Sequence, residues 1–109
     1  MPESQERGAL TEAVFYILLS LYEPLHGYGI MQFVREISNE RVSLGAGTLY
    51  GALNTLVEKG WIKALSEGTG DRKKEYVITP NGKQVVYDEI RRLKELLENG
   101  CKIAGEGSI

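Results

Sequence analysis

The chain has 109 residues, enough for one domain with a core of its own and too few for a large enzyme fold. Hydrophobic residues make up 42% and charged residues 26%, ordinary values for a soluble globular protein, which excludes the disordered and membrane classes. A net charge of -2 argues against a protein that coats nucleic acid indiscriminately, one cysteine excludes an internal disulfide, and one histidine excludes a His-rich metal site.

The opening MPESQERGAL is polar and lacks the basic-then-apolar order of a secretory leader, so a cytoplasmic protein is expected. Residues 11–22 are almost continuously apolar and long enough to favour a helix, though far too short to span a bilayer. Thr11 suits its N-cap, and Leu10 with Phe15 suits a hydrophobic staple. Two stripes follow, Val14, Ile17, Leu18 and Leu21 on one side and Phe15, Leu19 and Tyr22 on another, so this helix is expected to touch both its own core and a partner.

His26, Gly27, Tyr28 and Gly29 read as a turn, after which Ile30, Val34 and Ile37, with Phe33 alongside, predict a second helix over residues 28–38. A link with Gly45 and Gly47 leads to a third helix over residues 46–59, with Leu49, Leu53, Leu56 and Val57 facing inward and Gly60 as its stop. Its other face carries Gly47, Thr48, Gly51, Asn54 and Thr55, with Tyr50 on the flank. That face is small, polar and nearly uncharged, unlike a solvated helix face rich in Lys and Glu. Tyr50 interrupts a GxGxxG spacing and no GK[ST] follows, so a phosphate-cradling nucleotide loop is not expected.

Residues 61–65 and 75–78 have strand composition, and the SEGTGDRKK between them predicts a hairpin with a basic tip. Thr79 and Pro80 suit an N-cap and first helical position, and the amphipathic pattern runs from there to Asn99, with Gly100 as the stop. Val86, Ile90, Leu93 and Leu97 form one stripe, widened by Val85 and Leu96. Acidic residues gather between Asp88 and Glu98, whereas Arg72, Lys73 and Lys74 are adjacent, a compact basic spot on an acidic body. The expected fold is mainly α (α+β): a winged helix-turn-helix with a two-stranded wing over residues 1–78, then a long C-terminal helix and tail over residues 79–109.

Four segments in this order, HGYGI (residues 26–30), GTLYGAL (47–53), LVEKGWI (56–62) and KEYVITPNG (74–82), resemble the PadR family of transcriptional regulators over nearly the whole chain. The resemblance implies a DNA-binding homodimer in the compact form of the family, whose one C-terminal helix pairs with the partner's terminal helices. Two departures are Gly51, where a proline commonly follows the GTLY tyrosine, and Trp61, where an aliphatic residue is more usual. In drug-sensing relatives a tryptophan on the terminal helix lines a cavity between subunits. Here Tyr87 is that helix's aromatic residue, so drug sensing does not carry over.

On that resemblance, Thr48, Tyr50, Gly51, Asn54 and Thr55 are expected at the DNA surface, Tyr50 on phosphate and Asn54 on a base edge. Arg72, Lys73 and Lys74 are expected near the backbone or minor groove, with Lys59 and Lys63 beside them and Arg41 a further candidate. The plain alternatives are a solvent-facing helix side and a solvated loop. Phe15, Leu19, Val86, Ile90, Leu93 and Leu97 are expected at the dimer interface. The expected partners are double-stranded DNA and a second copy, with a small-molecule effector of unidentified chemistry and no membrane. No cofactor, metal or catalytic residue is expected, His26 being structural and Cys101 an exposed thiol. The resulting reading is a ligand-responsive repressor on an inverted-repeat operator. The competing one is a winged-helix protein-interaction adaptor without DNA binding, for which the acidic balance and uncharged third helix speak.

Overall fold

The computed structural model describes residues 8–65 and 74–105. Helix α1 (Glu12–Ser20) starts where Thr11 Oγ1 accepts a hydrogen bond from the Val14 N–H at 3.1 Å, which satisfies one of the unpaired amides of the first turn. Ile17, Leu18 and Leu21 are fully buried, Phe15 and Leu19 are half-buried, and Tyr22 is exposed, so the two stripes divide between core and surface.

Helix α2 (Gly27–Ile37) begins inside the segment whose glycines predict a turn. Just before it, Leu25 and His26 form a short strand β1, which pairs antiparallel with a distant strand in the register Leu25 with Tyr76 and His26 with Glu75. Ile30 and Val34 are buried as their spacing predicts, whereas Ile37 is 44% exposed. The helix closes with the Asn39 N–H donating to Glu36 O at 3.1 Å and the Glu40 N–H to Arg35 O at 2.8 Å, both residues at positive φ. Buried Ser38 then accepts from the Val42 N–H at 3.0 Å and fastens the link to the next helix.

Helix α3 (Ala46–Glu58) buries Leu49, Leu53 and Leu56, each worth about 1.5 to 3 kcal/mol when removed from water. Val57, expected inward, is 39% exposed, because at about 100° per residue it falls on the flank between buried Leu53 and the outer face. Gly60, at φ +79°, makes the stop: its N–H donates to Val57 O at 3.0 Å and the Trp61 N–H to Leu56 O at 3.1 Å, a Schellman motif that requires the left-handed conformation.

Strands β2 (Ile62–Leu65) and β3 (Glu75–Ile78) pair antiparallel, Ile62 opposite Ile78 and Leu65 opposite Glu75. With β1 on the far side of β3 the sheet has three strands, ordered β1-β3-β2, rather than the two of the expected wing. The tip of the hairpin, residues 66–73, lies outside the described residues.

Helix α4 (Pro80–Ala104) is capped by Thr79, whose Oγ1 accepts from the Gly82 N–H at 3.1 Å and donates to Gly60 O at 2.7 Å. Any side chain at Gly82 would collide with the Trp61 carbonyl oxygen, so this glycine lets α4 dock against the end of α3. The predicted stop at Gly100 is overturned. The helix runs through it to Gly105, at φ +77°, whose N–H donates to Cys101 O at 2.9 Å. A glycine inside a helix costs about 1 kcal/mol, less than the turn of hydrogen bonds it would interrupt, and only Gly105 takes the left-handed cap.

The first half of α4 packs on α1 and β3, with Val86 and Glu89 buried. Glu89, at 2% exposure, accepts from Arg92 Nε at 3.0 Å and Arg92 Nη2 at 2.6 Å and from the Leu10 N–H at 3.3 Å. It therefore joins α4 to the approach of α1, although it belongs to the acidic run between Asp88 and Glu98. No helix among the described residues is long and apolar enough to cross a membrane, and no group of metal-ligating side chains forms among them.

Candidate nucleic-acid interface

Helix α3 projects its expected contact residues to the outside. Gly47, Thr48, Gly51, Asn54 and Thr55 are all exposed, while Leu49, Leu53 and Leu56 hold the opposite side in the core. From Ala46 to Val57 the helix has no charged residue. Its N-cap is Gly45, which makes no side-chain capping bond, and no acidic residue occupies the first turn. The first-turn amides and the positive end of the helix dipole are therefore turned to solvent without a carboxylate to neutralise them, an arrangement that favours an anion such as a phosphate.

The polar side chains on this face differ in freedom. Thr55 Oγ1 donates to Gly51 O at 3.2 Å, so its proton is committed to its own helix and it offers a partner an acceptor. The Asn54 side chain makes no hydrogen bond to another described residue, which leaves both its donor and its acceptor available. Tyr50 is 44% exposed, and its hydroxyl end lies against Gly27 at the start of α2. Tyr50 also adjoins Tyr76, whose phenol is pushed up from its ordinary value chiefly by burial and additionally by Tyr50. Gly27 and Tyr76, which sequence reading passes over, thus form the seat of Tyr50. Nothing local in HGYGI signals this, because the contact joins residues far apart in the chain.

The basic candidates separate. Lys74 is exposed at the entrance to β3, whereas Arg72 and Lys73 lie outside the described residues. Lys59 stands with its Nζ 5.2 Å from the Trp61 ring centroid, a cation–π contact that holds it near the wing. Trp61 itself is half-buried and packs on the core from the edge of the sheet. Lys63 is exposed on β2. Arg41 pairs with Glu12 on α1, and that carboxylate raises the guanidinium pKa further. Its charge is thereby engaged within the fold.

The residues expected at a dimer interface also fall into two groups. Val86 is 2% exposed and belongs to the core of its own chain, with Phe15 and Leu19 half-buried beside that core. Ile90, Leu93 and Leu97 are 46%, 42% and 55% exposed, and Leu96 adds to the same apolar stretch. Cys101 is half-buried near the end of α4.

Residues 15–88 match the model of the transcriptional regulator PadR-like family. A protein of unassigned function, 37.1 kDa, from transposon TN4556 of Streptomyces fradiae is 34% identical over 86 residues, which is 78% of this chain and 24% of that protein. The chain thus spans about a quarter of that relative's length. A transcriptional regulator from Clostridium thermocellum is similar in structure, with a TM-score of 0.62, 25% identity and coverage of 85% of this chain and 88% of the other. A PadR family transcription regulator from Clostridium difficile shares the fold at a TM-score of 0.72, with 24% identity over 86% of this chain and 99% of the other. Because the family model matches residues 15–88, well over half of the chain, this chain belongs to the PadR-like family, whose members are transcriptional regulators and not enzymes.

Proposed function

We propose that the chain binds a specific DNA operator as a homodimer and acts as a repressor that a small-molecule effector releases. The observation that carries this reading is the outer face of α3: exposed, polar, uncharged, and led by an uncapped N-terminus. Such a face can enter the major groove with no carboxylate to repel phosphate, and it presents an asparagine able to bond an adenine edge in both senses. Thr48, Tyr50, Gly51, Asn54 and Thr55 are assigned to this contact. Lys59, Arg72, Lys73 and Lys74 are assigned to the flanking backbone.

Dimerisation is supported by the exposed stripe Ile90, Leu93, Leu96 and Leu97, since contiguous large apolar side chains on a protruding helix call for a partner. A two-fold pair of α3 helices would read inverted half-sites whose centres lie about one helical turn, or a multiple of it, apart. An effector bound between subunits would act by changing the angle between them, which moves the two helices out of register with the DNA.

Sequencing the genomic fragments retained by the purified protein identifies the operator. On that duplex Asn54→Ala should relax discrimination at one base position by about 1 to 3 kcal/mol, read by competition against point-substituted duplexes. An equal loss on operator and shuffled DNA would remove Asn54 from base reading. Retention of no fragment, at any salt concentration, would favour the protein-interaction adaptor, with which the net charge of -2 agrees.

A further inference from the structure

Glycine stands at position 27 for a reason other than its backbone. The described residues with positive φ are Asn39, Glu40, Gly8, Gly60 and Gly105; Gly27, the first residue of α2, is not among them. What the position lacks is room. An ideal Cβ on Gly27 would overlap Tyr50 Oη and stand 2.8 Å from Tyr50 Cζ and 3.5 Å from Cε1. Gly27 is buried, whereas Tyr50 keeps 44% of its surface exposed on the same side of the molecule as the outer face of α3. Glycines at 45, 47 and 51 differ in kind, since a Cβ at any of them would meet nothing within 4 Å.

We propose that Gly27 is a positioning residue for Tyr50: its missing side chain lets the ring lie across the first turn of α2, so that the hydroxyl is already placed when DNA arrives. This rests on the DNA-binding reading above. A side chain seated beforehand escapes the ordering cost of binding, which amounts to a factor of about two to ten in affinity for one such residue. A methyl group at position 27 would push the ring off its seat, losing both the placement and the hydroxyl's bond to a phosphate oxygen. Phosphate contacts carry no sequence information, so the loss should be the same on any duplex.

The experiment measures the affinity of the full chain, by fluorescence anisotropy, for a labelled duplex taken from the retained genomic fragments and for a shuffled duplex of the same length. Gly27→Ala should weaken binding by the same factor on both, about tenfold for the charge-assisted hydrogen bond lost in each subunit and so up to about a hundredfold for the dimer. Tyr50→Ala should weaken it at least as much. Gly27→Ala/Tyr50→Ala should bind no worse than Tyr50→Ala alone, because with the ring gone the new methyl displaces nothing. A loss from Gly27→Ala that persists undiminished in the Tyr50→Ala background overturns the proposal, as does wild-type affinity in Gly27→Ala.

If circular dichroism shows Gly27→Ala unfolded, the comparison rests on Tyr50→Ala and Gly27→Ala/Tyr50→Ala, which lack the whole ring that the methyl would meet. Equal affinities are expected, and a further loss in the double variant overturns the proposal. Failure of the wild type to bind either duplex removes the DNA-binding reading itself, and the two failures are thereby told apart.

Discussion

Tyr76 sits on the middle strand of the sheet with 5% of its surface exposed, and its environment holds its phenol proton more tightly than water does. Burial is the larger cause and Tyr50 the smaller. The unfolded chain releases this proton near the ordinary value of 10.0, the folded chain only above it. Below that pH the two states bind the proton equally and the shift has no effect. Above it the unfolded state gains by ionising, so stability falls as pH rises. Tyr76→Phe should therefore flatten the alkaline decline, seen as urea midpoints that drop less between about pH 9 and pH 11 than those of the wild type. Parallel declines in the two proteins would mean that Tyr76 ionises as freely folded as unfolded. At the same scale Glu89 marks a limit of sequence reading. Its spacing from Arg92 permits a helical ion pair, whereas its bond to the Leu10 amide joins residues 79 apart that no local pattern connects.

Helices are where residue chemistry becomes geometry, and α3 contains a test of this in Gly51. It lies mid-helix and exposed, and an added Cβ would meet nothing within 4 Å. Gly51→Ala should thus stabilise the free protein by about 1 kcal/mol, a rise in Tm of roughly 4 to 8 °C for a domain of this size. Its affinity for the operator should fall or stay level, since a methyl on the assigned contact face can only add bulk there. A lower Tm would reveal a reason for glycine within the chain itself. Gly60 and Gly105 are the opposite case, because positive φ at both helix ends leaves other residues strained. Periodicity locates α1, α2 and α3 to within a residue or two. It misplaces the end of α4, because a glycine in a helical pattern reads as a stop unless the chain beyond it is seen to remain helical.

For the molecule as a whole the decisive surface is the second half of α4. In a single chain Leu93 is 42% exposed, so replacing it with aspartate costs the monomer little, whereas in a two-fold interface it would bury an unpaired charge. Leu93→Asp should retain the wild-type far-ultraviolet dichroism yet sediment as a monomer at micromolar concentration where the wild type sediments as a dimer. A monomeric wild type, or a dimeric variant, would displace the stripe from that role.

The order of helices and wing strands, the Thr11 and Thr79 caps and most of the core were written in local patterns, since capping, amphipathic spacing and hairpin composition act over a few residues. The uncharged outer face of α3 was legible for the same reason. Tertiary structure alone decided what depends on residues distant in the chain. It joined β1 to β3 across some fifty residues, sent Val86 into the core while leaving Ile90 outside, and paired Arg41 with Glu12 of α1. It also made Gly27 a seat for Tyr50 where the sequence suggests a turn. A two-residue strand has too little pattern to announce itself, and a glycine does not say whether it serves its own backbone or a neighbour's side chain. Both become visible only when the partner is in place, because pairing and steric room are properties of two segments together.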